Sequence, residues 1–111
     1  MPHPIPDEVD CDLAEAVLRV LGRAWAGAVI AAMLHGEERF SDIARAVPGA
    51  TDAVLSARLR ELCARGLAAR EVRPGPPVAV GYRLTPAGRA LEPVLVALSD
   101  YARAHPAQVR R

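Results

Sequence analysis

Apolar positions recur along most of this chain with a helical period. From Asp12 to Leu21 the stripe is Leu13, Ala16, Val17, Val20 and Leu21, which predicts a first helix that Gly22 stops. A second helix is predicted from Ala24 to Leu34, with Val29, Ile30, Met33 and Leu34 inward and Gly36 ending it. Ser41 has the chemistry of an N-cap for a brief third helix, since its hydroxyl can accept from free backbone N–H groups, and Val47-Pro48-Gly49 stops that helix. Thr51 caps a fourth, which runs to Ala64 or Arg65 with Val54, Leu55, Leu59, Leu62 and Cys63 on its apolar face. Gly66 fits the left-handed residue that closes a helix, with Leu67 folding back onto its end.

Beyond that point the pattern changes. Leu67–Arg73 and Val78–Leu84 read as two strands joined by the stiff loop Pro74-Gly75-Pro76-Pro77, a β-hairpin. Thr85-Pro86 opens a fifth helix to about His105, with Leu91, Val94, Leu95, Leu98 and Tyr101 on one face and a bend expected at Pro93. Residues 1–10, with three prolines among the first six, are expected to be an extended arm, 11–105 the folded domain and 106–111 a tail. The predicted fold class is mainly α with a small β-hairpin wing, α+β in type, a winged helix-turn-helix.

Composition supports packed helices: 51% of the 111 residues are hydrophobic but only 4% aromatic, so the core is built from Ala, Leu and Val. A chain this short gains from a second subunit over its apolar surface, which makes a homodimer the expectation. All fourteen basic residues are Arg, a pattern of GC-rich coding that leaves no lysine amine for Schiff-base or general-base work. The formal charge of +1 says little, but from Ala53 to Arg83 six Arg face two Glu, so the middle of the chain is basic. No stretch is apolar enough to span a bilayer and the first residues lack a signal-peptide pattern, so a cytoplasmic protein with reduced Cys11 and Cys63 is expected. There is no serine, histidine and aspartate pattern and no Gly-rich phosphate loop, and an enzyme is not expected. His3, His35 and His105 have no metal-ligand spacing, so neither metal nor cofactor is expected.

The fourth helix carries the candidate chemistry. Its outer face, Ala53, Ser56, Ala57, Arg60 and Ala64, is small with one basic residue, and suits a DNA major groove. Arg60 reads as a base-edge contact or as a solvated surface Arg. Ser56 and Ala57 would neighbour base edges or phosphate. Arg58, toward the side, fits either a phosphate contact or a pair with Glu61 or Asp42. Ser41 and the helix start behind it can also hold a phosphate. Trp25, the only Trp, fits either core packing or a ligand pocket. Cys11 sits near a helix N-terminus, which favours thiolate, but between Asp10 and Asp12, which disfavour it, so it reads as an inert thiol or a redox sensor.

Cys11, Leu21-Gly22-Arg23-Ala24-Trp25, Arg39-Phe40-Ser41-Asp42-Ile43, Val54-Leu55-Ser56-Ala57-Arg58-Leu59-Arg60-Glu61-Leu62, Gly66-Leu67 and Tyr82-Arg83-Leu84-Thr85-Pro86-Ala87-Gly88 occur in an order and spacing that resembles the HxlR family of bacterial transcription regulators. The resemblance covers roughly Cys11 to His105. It implies a homodimer, joined through the first and fifth helices, on an inverted-repeat double-stranded DNA operator with half-sites roughly 34–36 Å apart. The fourth helix would enter the major groove, with Ser41, Thr51, Ala53, Ser56, Ala57, Arg58 and Arg60 near DNA, and the wing, with Arg73 and Arg83, would lie on the backbone. It also implies a small-molecule or oxidant effector, with Cys11 at the position some members use as a sensor. Members commonly have Cys-Pro where this chain has Cys11-Asp12, Gly-Gly-Lys-Trp where it has Gly22-Arg23-Ala24-Trp25, and a basic residue after the wing prolines where it has Val78-Ala79-Val80. That weaker wing admits an alternative, a protein-interaction or ligand-sensing module without DNA binding.

Overall fold

Asp10 starts the first helix. Its carboxylate accepts from the Leu13 amide at 3.0 Å, and α1 runs Cys11–Leu21. The structure, a computed structural model, describes residues 9–110, so the expected arm lies almost wholly outside the described residues. α2, Ala26–Leu34, begins two residues later than its pattern predicts because Trp25 turns the chain in the left-handed region, at φ 68°. α3 spans Phe40–Ala46, and here Ser41 is corrected: the N-cap is Arg39, and Ser41 lies inside the helix. The hairpin is the reason. The Tyr82 amide donates to the Glu38 carbonyl at 2.8 Å and Arg39 bridges to Gly81, which holds the backbone extended as far as Arg39.

α4 covers Asp52–Ala64, and Thr51 caps it as expected, its hydroxyl accepting from the Val54 amide at 3.2 Å. Such a cap stabilises a helix by about 1 kcal/mol. Gly66, at φ 74°, closes α4, with its amide donating to Cys63 and that of Leu67 to the Leu62 carbonyl at 2.9 Å. β1 (Ala68–Arg73) and β2 (Ala79–Leu84) pair antiparallel, Ala68 opposite Leu84 and Arg73 opposite Ala79. Thr85 then works in two directions: its hydroxyl accepts from the Gly88 amide and donates to the Gly66 carbonyl at 2.6 Å, tying the hairpin base to the end of α4.

The single bent fifth helix is also corrected. The chain forms α5 (Pro86–Arg89), breaks at Ala90 and Leu91, and restarts as α6 (Glu92–Ala104). Pro93 sits in the first turn of α6, where a missing N–H costs nothing, so no bend is needed. The expected tail contains a further helical turn, α7 (Pro106–Val109).

The core gathers around α2. Val29, Ile30 and Met33 pack with Ile43 and Val47 of the α3 segment, Leu55, Leu59 and Leu62 of α4, and Ala68 and Leu84 of the hairpin. By contrast α1 and α6 bury no residue fully, although both are strongly amphipathic. Leu13, Val17 and Leu18 of α1 and Val94, Val96, Leu98 and Tyr101 of α6 stay exposed. These helices touch the core through Leu21 and Leu95 and otherwise project from it, and the radius of gyration is 16.3 Å where a compact chain of this length would have about 13 Å. No single helix among the described residues is long and apolar enough to cross a membrane.

Candidate nucleic-acid interface

α3 and α4 meet around a turn containing Gly49, and the buried Leu55, Leu59 and Leu62 fix how α4 rolls. With that face anchored, Ala53, Arg60 and Ala64 are exposed on the other side, and Ser56 and Ala57 are half-buried beside them. The outward surface is therefore small side chains around one guanidinium. Thr51 and Ser41 are exposed at the starts of α4 and α3. Arg60 makes no ion pair among the described residues, so its donors are uncommitted.

Arg58 is not part of that surface. It is 9% exposed, and its Nε lies 3.5 Å from Glu61 Oε2 without hydrogen-bond geometry. One hundred degrees per residue puts it on the opposite side of α4 from Arg60, which removes it from the expected DNA contacts. On the wing, Arg73 pairs with Glu38 at 3.2 Å and Arg83 with Glu71 at 2.7 Å. Both arginines remain more than half exposed, and surface pairs are worth roughly 0–1 kcal/mol, so phosphate can compete for either. Arg39, read from the sequence only as part of a motif and not as a DNA contact, is exposed at the start of α3 beside the hairpin. The signal was available in its place before Phe40-Ser41, one residue ahead of a helix.

Trp25 is about half exposed, with its indole against Gly49: a Cβ there would overlap Cη2 and lie 2.9 Å from Cζ2. The ring thus packs on the helix-turn-helix turn itself. Cys11, the first residue of α1, is exposed, and the Asp10 carboxylate already occupies the helix start. Cys63 is half-buried; burial pushes its thiol above the ordinary value, partly opposed by the Arg70 guanidinium.

Behind α4 lies a cleft of about 460 Å³ between α1, the α1–α2 turn and α4, lined by Arg19, Val20, Arg23, Ala26, Arg58, Glu61, Leu62 and Arg65. The Arg23–Glu61 pair, at 3.2 Å, crosses it.

Comparison with known proteins agrees with this geometry. Residues 20–109 match the family described as HxlR-like helix-turn-helix. The chain is 38% identical over 92 residues to the HTH-type transcriptional regulator YvaP of Bacillus subtilis, covering 83% of this chain and 85% of that protein. It superposes on the reduced form of the transcriptional regulator YodB from B. subtilis with a TM-score of 0.77 at 33% identity, over 85% of this chain and 92% of that one. The redox regulator HypR in its reduced form gives a TM-score of 0.77 at 35% identity, over 85% and 93%.

Proposed function

Because the chain belongs to the HxlR-like helix-turn-helix family, we propose that it is a homodimeric transcriptional regulator that places α4 of each subunit in a DNA major groove. The observation that carries this reading is the outer face of α4, small side chains around an uncommitted Arg60, held rigidly by a core on its other side. A guanidinium so placed reads guanine O6 and N7, or a phosphate, without bulk to keep the helix out. Thr51, Ala53, Ser56 and Ala57 line the approach, and Ser41, Arg39, Arg73 and Arg83 surround it for backbone contacts. Leu13 and Leu18 of α1 with Val94, Leu98 and Tyr101 of α6 are the exposed apolar surface on which a second copy would pair, as in other small domains that complete their core by association. Dimerisation would fix the spacing of the two α4 helices and hence of an inverted-repeat operator.

Similarity to a redox regulator adds a role for Cys11, the exposed thiol at the start of α1 on the proposed dimer face. Oxidation there would act on the dimer and so on DNA affinity. Fluorescence-anisotropy titration against DNA from upstream of its own gene tests the reading. Specific binding weakened roughly 10- to 100-fold by Arg60→Ala supports it, and no binding at any salt concentration sinks it. Loss of oxidant sensitivity in Cys11→Ser would establish the thiol's part.

A further inference from the structure

The cleft behind α4 is built for negative charge. Four of its eight lining residues are arginines, Arg19, Arg23, Arg58 and Arg65, and Glu61 is the one carboxylate among them. Glu61 is shared between Arg23 at 3.2 Å and Arg58 at 3.5 Å, which leaves three formal positive charges in excess within one concavity. Arg19 and Arg65 make no ion pair among the described residues. The side chain of Arg58 is nine-tenths buried and its Nε has no hydrogen-bond acceptor. A buried guanidinium donor without an acceptor is costly, and an oxyanion that takes the place of the Glu61 carboxylate supplies one.

A second cavity of about 270 Å³ adjoins the cleft and shares Val20 and Arg65 as walls; its other walls are Ala16, Val17, Leu21, Leu67 and Leu91. The cleft itself is within the size of small-molecule sites. We propose that these two cavities form a site for a small amphipathic organic anion, its carboxylate or phosphate held by Arg19, Arg23, Arg58 and Arg65 and its apolar body lying along Val20 toward Leu67 and Leu91. The arginines lie on the side of α4 away from Arg60, so the ligand is not a DNA phosphate at the reading face. An oxyanion there competes with Glu61 for Arg23 and Arg58, and so loosens the pair that ties the α1–α2 turn to α4. This consequence rests on the regulator reading, while the site itself does not. Occupancy would reposition α4 against α1, the helix proposed to set dimer spacing.

The test uses phenyl phosphate as probe, with inorganic phosphate and benzyl alcohol as the head and the body alone, titrated calorimetrically into the full chain at a concentration where its oligomeric state is constant. Phenyl phosphate is expected to bind at least tenfold more tightly than either part. Arg19→Gln with Arg65→Gln should weaken it at least tenfold, Arg58→Gln likewise if it folds, and Arg60→Ala should retain wild-type affinity. Equal affinity for phenyl phosphate and inorganic phosphate, or binding lost in Arg60→Ala but kept in the Arg19 and Arg65 double variant, overturns the site. Anisotropy titrations of operator DNA on the same samples separate the two readings: anion binding without DNA binding at any salt keeps the site and removes its role in regulation.

Discussion

Trp25 and Gly49 lie 24 positions apart in sequence and touch in the structure, and this contact makes Gly49→Ala informative. Gly49 is not among the residues in the left-handed region, so alanine there meets no left-handed strain and by itself should stabilise by about 0.4–1 kcal/mol through the unfolded chain. Its new Cβ would overlap Cη2 of the indole, with Cζ2 at 2.9 Å and Cζ3 at 3.3 Å. Either the ring or the turn must move. Overpacking of this kind costs about 1–3 kcal/mol, and the half-exposed indole, free to swing outward, places the expectation at about 1–2 kcal/mol. For a chain of this size that corresponds to a fall in Tm of roughly 4 °C per kcal/mol. Removing the ring removes the clash, so in a Trp25→Ala background the same Gly49→Ala change should be neutral or stabilising. Urea unfolding by circular dichroism gives all four corners of the cycle, at one fixed protein concentration because the proposed association would contribute to apparent stability. A cost for Gly49→Ala that is the same within about 0.5 kcal/mol in both backgrounds would refute the packing argument.

Gly88→Ala should be more severe, since its Cβ would overlap the Leu67 carbonyl oxygen, rigid backbone that also accepts from the Thr85 amide at 3.0 Å. A loss of about 3 kcal/mol or more is expected, and a variant as stable as wild type would exclude that packing. Leu13→Asp with Leu98→Asp should convert the proposed dimer to monomer in light scattering; an unchanged dimer mass would move the interface off α1 and α6. Cys63 should alkylate slowly with iodoacetamide until pH rises above the usual thiol range, and Arg70→Ala should slow it further by removing the charge that favours thiolate. Because the folded thiol is raised, its share of stability is full at lower pH and lost as pH rises through the folded value; urea midpoints that rise with pH in that alkaline window, relative to Cys63→Ala, would contradict this.

Much of the architecture was legible because its signals are local. Thr51 and Thr85 bond to amides three residues on, and Gly66 closes a helix through carbonyls three and five positions away, so each could be read from a few adjacent letters. The hydrophobic period likewise gave the inner face of α4, and with it the outer face that carries Arg60. The stripes on α1 and α6 were equally plain, but a stripe says only that something covers it. Among the described residues Leu21, Leu91 and Leu95 pack on the core while Leu13, Val94, Leu98 and Tyr101 stay exposed, which is a property of the fold.

What only the tertiary structure decided depends on residues far apart in sequence. The start of α3 moved to Phe40 because Glu38 and Arg39 were taken up by a strand more than forty positions later. Arg73 and Glu38 are paired across 35 positions, and the Arg23–Glu61 pair brings together the two walls of the arginine cleft. Arg58 shows the limit most directly: helical phase turns it across α4 from Arg60, but whether that side met water or protein depended on where α1 and α2 came to rest. Local sequence fixes torsions and faces through neighbours within one or two turns, whereas burial and charge pairing depend on how those faces assemble, which no short window of residues contains.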